Sequence, residues 1–188
     1  MGGRSSQGMK VQRIAEILGV GPKPRGWLEG MVPCLGVAVG IFVTGYLSTR
    51  LLGGHGGLVL AASMGASAVL VFGAPGGPFS QPWPVILGHT VSAIAGGLAV
   101  RLCEPWLLAG TLAVGLAMVV MTSLRCVHPP GGSTALAVVV SAMAGNTPSF
   151  GFAANPVCLN AVVLVLAGLV WHRVVSGAVY PVGIRRNS

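Results

Sequence analysis

The chain has 188 residues, of which 53% are hydrophobic and only 7% charged, with 30 glycines and 13 prolines. An ordinary soluble domain is roughly 25% charged, so this chain lacks the polar surface to cover a soluble fold, and its composition selects an integral membrane protein. The net charge of +8 does not mark a nucleic-acid binder, because the basic residues sit in the tails and at the ends of apolar runs, where they anchor a membrane protein.

Long Ala/Val/Leu runs, rather than alternating segments of about ten residues, make the passes helices. Residues 1–29 read as a basic cytoplasmic tail without the compact apolar core of a signal peptide. Val11, Ile14, Ala15 and Leu18 keep helical spacing within it, which fits either a helix at the membrane interface or a solvated tail. The uncharged stretch 30–49, between Glu29 and Arg50, has the length of one pass. No formal charge lies between Arg50 and Arg101, and GAPGGPFSQPWP at 73–84 divides that run into passes at about 56–74 and 83–100. The fourth pass occupies about 105–124, between Glu104 and Arg125. GNTPSFGFAANP at 145–156 splits the next run into a short fifth pass at about 132–146 and a sixth at about 156–172, before a basic tail at 174–188. Trp27, Trp83, Trp106 and Trp171 fall near the predicted ends, as an aromatic belt does. His172, beside Arg173, reads as a boundary residue.

With six passes within residues 30–173, both termini share one side. Nine of the eleven basic residues fall on that side, and only Arg50 and Arg101 on the other. This bias predicts a cell (inner) membrane protein with both termini cytoplasmic. The four cysteines, Cys34, Cys103, Cys126 and Cys158, show no C-x-x-C spacing, so no disulfide, metal or cofactor is expected.

The two halves resemble each other. AVGIF at 38–42 pairs with AVGLA at 113–117, and GASAVLV at 65–71 with GSTALAV at 132–138. Gln81-Pro82 pairs with Asn155-Pro156, and Gly96 and Arg101 with Gly168 and Arg173. The spacing stays within 67 to 75 residues and the order is kept. A three-pass unit repeated once places its second copy upside down, so the expected fold is an all-α membrane protein of two inverted three-helix repeats. Such repeats are an architecture of secondary transporters, whose sites lie near the bilayer midplane at short, Gly/Pro-interrupted segments. Here those segments are the broken starts of passes two and five, at 55–67 and 128–134.

A helix that restarts inside the bilayer presents free N–H groups and the positive end of its dipole, which attract anions. Ser67, Ser133 and Thr134 offer hydroxyls, and Arg125 and His128 offer charge or ring donors. Gly65, Gly131 and Gly132 fit either close packing or close approach of an ion. Pro129 and Pro130 shape where the helix begins. His89, mid-pass, and His55, at a predicted helix start, are functional candidates because intramembrane ionisable residues are rare and costly. No Asp or Glu lies within a pass, so a small anion fits this inventory better than a cation.

His128-Pro129-Pro130 matches the motif for which the HPP integral membrane family is named. The chain resembles that family across roughly residues 24–173, including GASAVLVF at 65–72, Gln81-Pro82, Gly88-His89 and Arg125 ahead of the motif. Members in cyanobacteria and chloroplasts are implicated in nitrite transport, so the resemblance implies a nitrite transporter. It also implies four passes, where the charge distribution here predicts six. A membrane-embedded enzyme is not expected: the chain has neither H-E-x-x-H nor G-x-S-x-G, and no intramembrane carboxylate to orient a histidine. An anion channel and a non-transporting scaffold or partner subunit remain the alternatives. Gly36 and Gly40 form a small-xxx-small face suited to a homo-oligomer.

Overall fold

The computed structural model describes residues 13, 16–18, 26–52, 57–146, 149–151 and 153–183. The regular structure among them is helical. Helix α1 spans Trp27–Leu52, α2 Gly57–Gly73, α3 Pro82–Leu102, α4 Trp106–Ser123, α5 Pro129–Met143 and α6 Leu159–Trp171. A single 3-10 turn, Pro78–Ser80, precedes α3, and π-wound segments Ala153–Cys158 and His172–Ser176 flank α6. Each predicted pass coincides with one helix to within about a turn.

Among the described residues, four stretches are long and apolar enough to cross a membrane: Trp27–Leu51, Pro82–Leu102, Trp106–Ser123 and Asn155–Ser176. The other two helices are shorter. At about 1.5 Å per residue, the 15 residues of α5 cover about 22 Å, less than the roughly 30 Å of a hydrocarbon core.

The expected break at the start of pass five is absent. Pro129 and Pro130 are instead the first two residues of α5, where a missing N–H costs nothing and a fixed φ suits the helix. The start of α3 uses proline in the same way, behind Gln81.

Large apolar side chains face outward, and several polar ones are buried within the core. Phe42, Leu107, Val119, Val140 and Val170 are exposed, whereas Ser67, His89, Ser92, His128 and Thr134 are fully buried. One core cluster joins Met64, Val71 and Phe72 of α2 to Val138 of α5 and Leu164 of α6. The second is largely alanine, with Ala109, Ala113 and Ala117 of α4 facing Ala95 and Ala99 of α3 and Ala135 of α5. Small side chains let membrane helices approach closely where burial from water supplies no driving force.

Two glycine seams set the approach. A Cβ at Gly96 of α3 would lie 2.9 Å from Val138 Cβ of α5, and one at Gly168 of α6 would lie 2.5 Å from Val71 Cγ1 of α2. The face expected for self-association is occupied within the chain: a Cβ at Gly36 would lie 2.7 Å from the Phe72 ring, and Gly40 packs against the same ring.

Candidate functional site

The site is assembled by a loop, a helix start and two facing helices. After α2 the chain folds into a tight knot. Ser80 donates to the Ala74 carbonyl at 2.7 Å, and Gln81 Nε2 donates to the Pro75 and Gly77 carbonyls at 2.9 and 2.8 Å. Two groups near the C-terminal end fasten the knot: Tyr180 donates its hydroxyl to the Ser80 carbonyl at 3.0 Å, and Gln81 Oε1 accepts from the Val182 N–H at 2.8 Å. Burial pushes the Tyr180 phenol above its ordinary range, so it stays a donor. The knot aims the Phe79 carbonyl at His128, whose Nδ1 lies 2.7 Å away.

On the facing helix, Gly88 makes room. A Cβ there would stand 2.7 Å from His128 Cβ and 2.9 Å from the Cys126 carbonyl. Without it, residues 126–128 lie directly on α3, and His128 meets His89 with ring centroids 4.8 Å apart. Gly131 does the same one turn along, where a Cβ would lie 2.7 Å from Ser92 Oγ and 3.1 Å from the Gly88 carbonyl.

Ser67 of α2 joins the two histidines. Its Oγ is 2.7 Å from His89 Nε2 and 2.8 Å from His128 Nε2, and 3.0 Å from the Ser63 carbonyl. On the other side of His89, Nδ1 lies 2.7 Å from Thr134 Oγ1 of α5, which is 3.4 Å from the Pro130 carbonyl. Ser67 and Thr134 hold matching positions in the two similar segments GASAVLV and GSTALAV. One histidine therefore ties the halves together through equivalent hydroxyls.

When both rings are neutral, one set of tautomers gives every ring nitrogen a partner of the right kind. A carbonyl only accepts, so His128 Nδ1 carries the proton and donates to Phe79. His128 Nε2 must then accept from the Ser67 hydroxyl. Ser67 has one proton, so His89 Nε2–H donates to Ser67, and His89 Nδ1 accepts from Thr134. Four protons make four bonds, running one way from Thr134 to Phe79.

Four expected site residues meet here: Ser67, His89, His128 and Thr134. Gly131 and the buried Pro130 frame them. Others stand apart. Arg125 is exposed in a left-handed turn at φ 53°, and Ser133 and Pro129 are exposed. A Cβ at Gly65 would meet nothing within 4 Å, and one at Gly132 only Val114 Cγ1 at 3.9 Å, so neither marks a close approach. His55 lies outside the described residues.

The α5 start is also a poor anion cradle. Of the four N–H groups a helix start leaves open, those of Pro129 and Pro130 do not exist, and that of Gly131 closes onto the His128 carbonyl at 2.8 Å. His172 stands at the end of α6, as expected, and is buried there, 2.9 Å from the Val71 carbonyl and 2.7 Å from Ser176 Oγ. Among the described residues, no group of three or more His, Cys, Asp or Glu is placed to hold a metal ion.

Sequence reasoning missed three contributors: the Phe79 carbonyl, the Ser63 carbonyl and Gly88 as the opening for His128. Main-chain acceptors leave no residue signature. Gly88, directly ahead of an intramembrane histidine, carried the only readable hint.

A 37% identical transmembrane protein of Dictyostelium discoideum aligns over 149 residues, 77% of this chain and 47% of its own length. A second transmembrane protein of that organism is 34% identical over 128 residues, 65% of this chain and 44% of its own length. The chain thus spans about half the length of the curated relatives it matches. No solved structure matches it. The family model described as HPP, transmembrane region, matches residues 22–181, and with that span of the helical region covered, the chain belongs to the HPP transmembrane family.

Proposed function

We propose that this membrane protein transports a small inorganic anion, with nitrite the candidate from the family resemblance. The carrying observation is the buried Ser67–His89–His128–Thr134 cluster, drawn from α2, α3 and the start of α5. Buried ionisable groups inside a membrane protein are costly and mark ion pathways by default. The absence of Asp and Glu from the surrounding sequence, 68–103 and 105–188, favours an anion.

The reciprocal seams support an inverted-repeat carrier. Gly96 receives Val138 and Gly168 receives Val71, and the sequence alignment of the halves equates Gly96 with Gly168 and Val71 with Val138. Contact of i with j and of j with i is the mark of a two-fold relation. Transport then consists of one three-helix half rocking against the other across the cluster. Both termini lie in the cytoplasm, on the side of the nine basic residues.

A second reading, a scaffold or partner subunit, is favoured by one observation: the four side chains satisfy one another. Nitrite uptake into proteoliposomes separates the two. The expected result is saturable uptake above that of empty liposomes, falling at least ~10-fold, about 1.4 kcal/mol, in His89→Gln and staying near wild type in Arg125→Gln. Uptake equal to that of empty liposomes would leave the scaffold.

A further inference from the structure

We propose that the His89–Ser67–His128 chain takes up one proton with each anion, making the protein a proton–anion symporter; this rests on the transport reading above. In the neutral state each of the four polar protons of Thr134, His89, Ser67 and His128 is already in a bond, and the chain carries no charge to hold an anion.

Adding one proton changes the count without stranding any group. A proton on His128 Nε2 makes that ring donate to both Phe79 and Ser67. The Ser67 hydroxyl, displaced as a donor, has the Ser63 carbonyl at 3.0 Å to receive it. Alternatively, a proton on His89 Nδ1 donates to Thr134 Oγ1, and the Thr134 hydroxyl turns to the Pro130 carbonyl at 3.4 Å. Each hydroxyl thus has a carbonyl four residues back as its second position, and a hydroxyl rotor moves the proton's effect along the chain without moving a helix.

A second proton is opposed, since two imidazoliums with centroids 4.8 Å apart repel in a medium of low dielectric. The other groups facing the pair carry no charge. Those bonded to it are Ser67 from α2, the Phe79 carbonyl and Thr134 from α5, and the buried Ser63 of α2, Ser92 of α3, Met121 of α4 and Cys126 are uncharged as well. Among the described cations, Arg125 is exposed and Arg101 donates to the Gly97 carbonyl beyond the site. A single buried positive charge so placed needs a counter-charge, and a monovalent anion entering with the proton supplies it. The balance is one proton and one anion in, one of each out, with no net charge moved.

Two measurements on the wild-type chain in lipid nanodiscs test this. Long-range ¹H–¹⁵N spectra of histidine-labelled protein should show His128 as the Nδ1–H tautomer and His89 as the Nε2–H tautomer, with the pair taking up one proton on acidification. The same tautomer at both rings, or two independent protonations, would overturn the relay. Calorimetric titration with sodium nitrite in two buffers of different ionisation enthalpy should give about one proton taken up per nitrite bound. Nitrite binding with no proton uptake overturns the coupling while the anion site stands. No nitrite binding overturns the coupling to that anion and counts against the transport reading, whereas the spectra judge the relay independently.

Discussion

Arg125 shows how a residue's charge and its backbone role separate. It holds φ 53° at the end of α4, with its N–H on the Thr122 carbonyl at 3.1 Å and the Cys126 N–H on the Met121 carbonyl at 2.8 Å. This is the paired-bond helix stop that usually carries glycine. The end of α5 makes the same stop with Gly145 at φ 82°, where Gly145 N–H meets the Ala142 carbonyl and Asn146 N–H the Ser141 carbonyl, both at 3.0 Å. An L-residue in the left-handed region costs about 1–2 kcal/mol. Arg125→Gly is therefore expected to raise the thermal midpoint in detergent, a gain of about 1 kcal/mol after the entropy cost of glycine. A fall would show that the guanidinium holds the fold through a contact of its own. The stop also explains how the chain turns sharply enough after α4 to lay His128 on Gly88.

At the scale of helices, two glycines make opposite predictions. A methyl at Gly88 drives into the Cys126 carbonyl and His128 Cβ at 2.9 and 2.7 Å, and overpacking of this kind costs about 1–3 kcal/mol. A methyl at Gly65 meets nothing within 4 Å, and replacing a helical glycine by alanine gains about 0.5–1 kcal/mol. Thermal unfolding in one detergent should place Gly88→Ala below wild type and Gly65→Ala at or above it; the reverse order would mean that the α3 contact with residues 126–128 is misassigned. The sequence could not rank these positions. Its helix boundaries were legible because charges and Gly/Pro clusters punctuate the apolar runs. Helix faces were not, because a membrane helix is apolar on both its buried and its lipid side, and periodicity vanishes. The polar residues carried the missing information: Ser67, His89, His128 and Thr134 all point inward. Arg125 misled for a physical reason, since proximity of three residues in sequence to His128 becomes opposite directions across a left-handed turn.

At the scale of the whole molecule, the 61-residue separation of Ser67 and His128 left their meeting beyond the reach of sequence reading, although the likeness of GASAVLV to GSTALAV aligned the segments that converge on His89. Crossing number can be tested directly. Gly76 and Asn146 are exposed in the loops after α2 and α5. Six crossings put these loops on opposite sides of the membrane; if α2 and α5 do not cross, both fall on the same side. In a chain with its four cysteines replaced, Gly76→Cys should react with an impermeant thiol reagent from the cytoplasmic side and Asn146→Cys from the other. Labelling from one side at both positions would reduce the count to four. The length of α5 has a further consequence. Its outward residues Leu136, Val140 and Met143 are exposed on a helix of about 22 Å; if α5 crosses, the bilayer must thin around it or the helix ends must be drawn below the headgroups. His128 sits at one such end. Acyl-chain length then becomes a control on how deeply the histidine pair is submerged: reconstitution in 14-carbon lipids should speed nitrite uptake relative to 20-carbon lipids, and equal rates in both would show that neighbouring helices shield α5 from the mismatch.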